Sequence, residues 1–310
     1  LLYELLSGEL QLWEVAPQYS ALAAELGFIF IQDCVLEIDE LEQKLITASE
    51  IELTFSQLVI SAGVTPDYSY VEDLKEYAYG FSNLNDVFKI KKLLTRLNKS
   101  SENINPIVIS GAGPTGVELA CKISDLVNNR IEIYLIDKGN KILSKSKSFN
   151  REKSLAAIEN RNIKIYLEYY IKSINKTFLE IVTNKNEINK SRKINYSSLI
   201  WTAGSKPASL QFLHHSFDQN QKIKVNKYLQ INNYKNIFVI GDITCNENNL
   251  FPASAQVAMQ QGFVAAHNIN SLKKGDQLKA FEFEDLGEML SLGIGNASIT
   301  GLGITLAGPL

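Results

Sequence analysis

The segment Ile107-Val108-Ile109-Ser110-Gly111-Ala112-Gly113-Pro114-Thr115-Gly116-Val117-Glu118 joins an apolar run to a glycine-rich turn and then to a helical pattern. Residues of these types at this spacing bind a dinucleotide pyrophosphate. Gly111 and Gly113 let the backbone turn sharply and approach the phosphates, and Gly116 lets the new helix lie close against its strand. Pro114 and Thr115 open that helix, whose N-terminus presents free N–H groups and the positive end of its dipole. Downstream, Asp137 ends a second apolar run, Ile131-Glu132-Ile133-Tyr134-Leu135-Ile136. It lies about 20 residues beyond the third glycine, where an acid is expected to hydrogen-bond a ribose 2′-hydroxyl. A carboxylate there favours NADH over NADPH, a preference that the neighbouring Lys138 weakens.

Around this motif the elements can be read from periodicity. Gly116, Ala120, Ile123 and Val127 form a small-then-apolar helical stripe that faces a sheet. Leu84, Val87, Phe88, Lys91, Leu94 and Leu97 form another, with Ser82 and Asn83 as caps. That helix is expected to lead from one domain into the next, followed by a polar linker at 100–105. Pro17 to Leu26 has helical spacing, and Leu1 to Leu12 reads as an active-site-lining loop or broken helix. Val35–Asp39 and Lys44–Thr47 alternate as strands of a β-meander. Strands resume at 162–200, interrupted by a solvated turn at 184–193, and the uncharged stretch 291–310 reads as buried strands because its glycines oppose a lipid-exposed helix.

An internal repeat adds a second domain. Leu58-Val59-Ile60-Ser61-Ala62-Gly63-Val64-Thr65-Pro66 matches Leu199-Ile200-Trp201-Thr202-Ala203-Gly204-Ser205-Lys206-Pro207 in pattern. Each reads as a buried strand ending in a small-residue turn, Ala62-Gly63 or Ala203-Gly204, that can crowd against a cofactor. Gly204 follows Gly111 by 93 residues, and the same interval counted back from Gly63 falls before Leu1. The first copy is therefore expected to lack its opening strand, glycine turn and helix. A further strand, 236–240, ends on Gly241-Asp242, where a carboxylate either binds the ribityl hydroxyls of a flavin or caps the following turn. Beside the repeat the flavin reading is the stronger. Pro252 to Gly262 then begins a helix carrying Ala255, Gln256, Gln260 and Gln261, whose N-terminal amides can stabilise charge on a reduced flavin.

Composition removes several classes. The net charge is −3 with scattered positive charge, the tightest group being Lys89, Lys91 and Lys92, which gives a nucleic-acid role little support. Cys34, Cys121 and Cys245 form no CxxC pair, in keeping with a reducing compartment. His214 and His215 stand in a polar stretch without a third ligand nearby, and His267 lies within a helical pattern, so no metal site is expected.

Together these elements resemble the two-dinucleotide-domain flavoproteins and, within them, the type II NADH dehydrogenases. The resemblance rests on Leu1-Leu2-Tyr3-Glu4-Leu5-Leu6-Ser7-Gly8, Gly111 to Glu118, Ile200 to Gly204, Gly241-Asp242, and Ala255-Gln256 with Gln260-Gln261. It implies an α/β fold of two Rossmann-like, glutathione-reductase-type domains. The FAD domain would be discontinuous, over 1–99 and 216–283, and missing its first βαβ segment. The NADH domain would span 100–215, and 284–310 would begin a membrane-associating region. It implies electron transfer from NADH through FAD to a membrane quinone without proton pumping. In this reading Gly241, Asp242, Ala255 and Gln256 contact FAD, Gln256 and Gln260 edge the quinone site, and Glu118 sits near the stacked nicotinamide and flavin. Glu118 also reads as an acid favoured in a helix first turn. The family pattern implies a peripheral place on the cytoplasmic side of a membrane, through a C-terminal anchor not in this sequence, and is compatible with a homodimer. It leads us to expect a fragment of a longer enzyme. Rival readings are a soluble flavin reductase of an iron-sulfur protein, a sulfide-oxidising relative, and a non-catalytic NADH-binding sensor.

Overall fold

A computed structural model describes residues 1–100, 104–183, 191–214, 222–246 and 251–309. The chain forms two packing units, one of residues 1–25, 66–204 and 286–310, the other of 26–65 and 205–285.

The first unit is built on a five-stranded parallel sheet in the order Ala78–Tyr79, Ser198–Trp201, Ile107–Ser110, Ile133–Asp137, Ile163–Leu167. Every residue of Ile107–Ser110 and Ser198–Trp201 is buried, as a parallel strand covered on both faces requires. Alternation sends neighbours to opposite cores: Ile107, Ile109 and Ile200 pack on one face, Val108 and Leu199 on the other. The first face is covered by the helices Leu84–Lys99, Pro114–Leu126 and Ser148–Glu159. Leu5 and Leu6 of the short helix Leu2–Ser7 join that core. The opposite core includes Ile171, Leu179 and Ile194 of an antiparallel sheet, Tyr169–Ile174, Phe178–Thr183 and Ser191–Asn195.

The C-terminal stretch folds as a three-stranded antiparallel sheet, Glu288–Ser291, Asn296–Gly301 and Ile304–Pro309. Leu290 and Leu292 enter the helix-side core, while Ile304 to Ala307 are exposed. The helix Pro114–Leu126 holds this sheet and the N-terminal segment by polar contacts along one side. Glu118 Oε1 accepts from the Ser291 N–H at 2.8 Å, and Asp125 accepts from Ile294 N–H at 2.8 Å while pairing with Arg161. Lys122, 1% exposed, pairs with Glu9, which also accepts from the Gly295 N–H.

The second unit has a four-stranded sheet in the order Gln211–Phe212, Val35–Asp39, Lys44–Thr47, Glu52–Thr54. Leu58–Ile60 pairs parallel with Ile237–Val239, and the helix Ala255–Lys274 supplies Val257 and Val264 to their core.

These units do not coincide with the expected domain bounds. Residues 66–99 pack with the glycine-motif sheet, because Tyr79 pairs with Ile200 and the apolar face of Leu84–Lys99 lies in the same core as Ile109. That helix therefore covers its sheet instead of leading between domains. Its Asn83 cap is as expected, the side chain accepting from Asp86 N–H at 3.0 Å. Of the turn expected at 184–193, residues 184–190 lie outside the described residues, and Ser191–Lys193 belong to a strand paired with Glu180–Val182. Residues 101–103 of the linker, and His215, also lie outside. His214 is engaged by the acids Asp39 and Glu40.

A Cβ on Gly116 would overlap the Gly111 carbonyl oxygen, so the helix can meet its strand only through glycine. We expect Gly116→Ala to cost about 3 kcal/mol or more, seen as a fall of several degrees or more in the melting temperature, or as insolubility.

Candidate active site

The glycine turn and the strand end at Asp137 open on a cleft of about 510 Å³, lined among others by Gly111, Gly113, Asp137, Ala203 and Gly204. Gly111 takes φ +107°, and a Cβ there would stand 2.7 Å from Thr202 Oγ1. Thr202 Oγ1 donates to the Ser110 carbonyl at 2.8 Å, which locks the end of one strand to the turn leaving the next. Gly113 caps the helix with Pro114 at its first turn, and a Cβ on Gly113 would meet nothing within 4 Å. The space beside Gly113 is thus open at the N-terminus of a helix, which fits a pyrophosphate. Thr115 bonds Tyr3.

Asp137 lines the cleft, yet its carboxylate is already at work. Oδ2 accepts from Ala112 N–H at 2.7 Å and Oδ1 from Gly139 N–H at 2.6 Å. Each oxygen keeps a lone pair, so the acid can hold the turn and still face a ribose hydroxyl. Four aromatic rings, Tyr70, Tyr169, Tyr170 and Trp201, complete the walls. Only Trp201 falls within a motif visible in the sequence, the repeat; the three tyrosines carry no periodic signal. The backbone of the repeat explains one of them: Gly204 at φ +84° brings its Cα against the Tyr70 ring.

The second unit carries a cleft of about 450 Å³ lined by Gly63, Gly241, Asp242, Ala255 and neighbours. Here too a strand ends in a positive-φ glycine, Gly63 at +66° and Gly241 at +78°, beside a helix N-terminus. Ser254 caps that helix by accepting from Val257 N–H. Asp242, half-buried on a single 3₁₀ turn, makes no hydrogen bond to a described residue, so its carboxylate is available to hydroxyls. Small residues, an acceptor acid and a helix N-terminus fit a flavin dinucleotide.

Other expected site residues lie elsewhere. Ala62 is exposed and Gln256 is half-buried; neither lines the described cleft. Gln260 clamps the backbone of Glu284, donating to its carbonyl and accepting from its N–H. The buried amide that braces the cleft is its neighbour Gln261, 0% exposed. Its Oε1 accepts from the Gly241 N–H at 2.6 Å and its Nε2 donates to Thr244. The Gln-Gln pair was visible in sequence, but which glutamine faces inward is a matter of helical phase.

Glu118 is not among the residues lining the 510 Å³ cleft. It is 9% exposed and bonded to Tyr3 and Ser291 N–H, and burial pushes its carboxyl up to about 7 against those bonds. The same burial raises the Tyr3 hydroxyl.

Two clefts of this kind, each at the end of a strand and the start of a helix, define an oxidoreductase architecture that takes two dinucleotides. The sequence profile of the pyridine nucleotide-disulphide oxidoreductases matches residues 5–262. The demethylphylloquinone reductase NdbB of Synechocystis is 35% identical over 99% of this chain and 77% of its own length. The type II NADH:quinone oxidoreductase of Staphylococcus aureus is 26% identical over 100% of this chain and 80% of its own. In fold the chain is similar to NDH2 of Plasmodium falciparum, with a TM-score of 0.85, 18% identity, and coverage of 100% of this chain and 84% of that one. The chain belongs to the pyridine nucleotide-disulphide oxidoreductase family.

Two outcomes are expected. Gln261→Leu strands the Gly241 N–H without its acceptor, costing about 1–3 kcal/mol and weakening FAD retention, as read by melting and by flavin absorbance after desalting. For Glu118 the folded state keeps its proton up to about pH 7, whereas the unfolded chain releases it near 4.5. Its contribution to stability is therefore present at low pH and lost as pH rises through that window. Glu118→Gln should flatten the fall in melting temperature between about pH 5 and 7.5.

Proposed function

We propose that this chain is an NADH:quinone oxidoreductase, with bound FAD supplying the hydride acceptance and two-electron delivery that side chains cannot. The observation that carries this reading is the presence in one chain of two small-residue clefts at helix N-termini, one with an acid placed for a ribose and one with an acid that makes no hydrogen bond to a described residue. The names of the relatives, reductases of quinones, agree with it.

In this reading Gly111, Gly113, Pro114, Thr115 and Gly116 bring the helix N-terminus to the NADH pyrophosphate. Asp137 holds the ribose and disfavours a 2′-phosphate by repulsion, and Ala203 and Gly204 let the coenzyme approach the backbone. Gly63, Gly241, Asp242 and Ala255 line the cleft that receives the flavin, with Asp242 accepting from its hydroxyls, and Ala62 and Gln256, their neighbours in sequence, are proposed to reach it from beside the cleft. Gln256 and Gln260 edge the quinone, and Glu118 lies toward the reacting rings. Because orientation and dipoles suffice, no nucleophile is needed. The enzyme works at a membrane surface, peripherally on the cytoplasmic side, and pairing as a homodimer is compatible with this. Among the described residues no helix is long and apolar enough to cross a membrane.

Cys121 and Cys245 make a poor reactive pair, which argues against a sulfide-oxidising relative. Cys121 is fully buried with its pKa pushed up to about 12, and Cys245 is buried and raised as well, the opposite of what a reactive cysteine needs.

The test is steady-state kinetics and anaerobic spectroscopy of the FAD-loaded protein. NADH should bleach the flavin, a quinone analogue should restore its absorbance, and the double-reciprocal plots should be parallel, as in a ping-pong scheme. NADH binding without reduction of flavin or quinone would point to a sensor, and bleaching without quinone turnover to an iron-sulfur protein as acceptor.

A further inference from the structure

The four aromatic rings of the 510 Å³ cleft sort into two pairs by the order of the sheet. Asp137, placed for the ribose of an adenosine half, ends the strand Ile133–Asp137, and Tyr169 and Tyr170 follow the strand beside it, Ile163–Leu167. Trp201 ends the strand Ser198–Trp201, on the other side of Ile107–Ser110 and its glycine turn. A dinucleotide whose pyrophosphate crosses that turn, with its adenosine toward Asp137, carries its nicotinamide toward Trp201, Gly204 and Tyr70.

Tyr70 is held there by its neighbours and not by its own packing. Trp201 donates its indole N–H to the Asp67 carbonyl at 2.9 Å, and the Asp67 N–H donates to the Gly204 carbonyl at 3.2 Å. These bonds strap the segment 67–70 to the strand end, and Val71 anchors it in the same core as Trp201. The Tyr70 ring itself is 60% exposed. It rests on Gly204, where a Cβ would stand 2.7 Å from its Cε2, and beside Trp201, with ring centroids 6.3 Å apart and planes 37° from parallel. Its hydroxyl is bonded to no described residue. A fixed segment thus leaves a large ring wet at the mouth of the cleft, where its π-face gains nothing for the fold.

The geometry points to Tyr70, backed by Trp201, as the group that reads the charge on the nicotinamide ring and favours NAD⁺ over NADH. The inference rests on the reading of this cleft as the NADH site and adds which redox form it holds more tightly. The face of a tyrosine or tryptophan ring carries negative potential and attracts a cation. The nicotinamide ring of NADH is neutral, and giving its hydride to the flavin leaves the ring of NAD⁺ positive. Among the described residues lining the cleft the one cation, Lys138, stands on the adenosine side next to Asp137, so no like charge opposes that ring. A contact stronger with the charged ring stabilises the charge that develops as the hydride leaves, and it slows the departure of NAD⁺.

The experiment is calorimetric titration of the oxidised, FAD-loaded protein with NAD⁺, with tetrahydro-NAD, whose ring is neutral and gives up no hydride, and with ADP-ribose, which has no nicotinamide. Tyr70→Leu should weaken NAD⁺ binding about 5- to 10-fold and tetrahydro-NAD binding about 2-fold or less. Its affinity for ADP-ribose and its melting temperature should not change. Tyr70→Phe, which keeps the ring, should bind all three ligands as the unaltered chain does. An equal loss for NAD⁺ and tetrahydro-NAD, a loss for ADP-ribose, or no loss at all would overturn the proposal. Flavin bleached by NADH with no such difference among the ligands leaves the enzymatic reading standing and sinks this one; the expected difference in a protein whose flavin NADH does not bleach does the reverse.

Discussion

The distance between one helix and one strand governs the first unit. The helix Pro114–Leu126 starts so near the end of Ile107–Ser110 that Gly116 has no room for a methyl group beside the Gly111 carbonyl. Close approach is what places the helix N-terminus over the turn and leaves the space at Gly113 open. A helix withdrawn by even the width of a side chain would point its dipole past a phosphate instead of at it, and its partial charge acts only within about the first turn. Asp137 and Thr202 follow from the same constraint, since each ties the turn from a neighbouring strand.

The far side of that helix is no less occupied. Glu118, Lys122 and Asp125 follow one another at spacings of four and three along its face. Each is matched by a group from the N-terminal segment or the C-terminal sheet. A buried lysine is costly to strip of water and contributes little net stability even when paired. What such contacts supply is register: apolar packing alone would tolerate a slide of the sheet, whereas three directed bonds from the Ser291, Ile294 and Gly295 N–H groups to carboxyl oxygens do not.

Where the sequence carried steric or periodic information, the structure could be read from it. The glycine motif, the strand ends at Asp137 and Gly241, the capped helix after Asn83 and the strands Val35–Asp39 and Lys44–Thr47 were all visible, because each depends on local geometry. The partition of the chain was not visible. Nothing in the spacing of Leu84 to Leu97 says which of two sheets its apolar face will cover, and that choice is made by contacts far away in sequence. The site was legible to the same degree. Glycines and acids announced both clefts, while the tyrosines of the first cleft and the inward turn of Gln261 depended on tertiary phase. Glu118 stands out in the sequence by its place in the motif; its burial against Tyr3 and Ser291 depends on segments more than a hundred residues away on either side.

The interleaving of the two units has a consequence for how the chain comes to be folded. One unit is assembled from three stretches of sequence and the other from two, so neither is a continuous run. A ribosome releases chain in order, and domains made of continuous sequence fold as they emerge. Here the glycine-motif sheet can form while Ser291 and Ile294, the N–H partners of Glu118 and Asp125, are still unsynthesised, leaving two carboxyl groups on its central helix without those donors. Early intermediates should therefore expose this helix until the last strands arrive. Loop closure over such separations makes that last step slow compared with the closing of local elements.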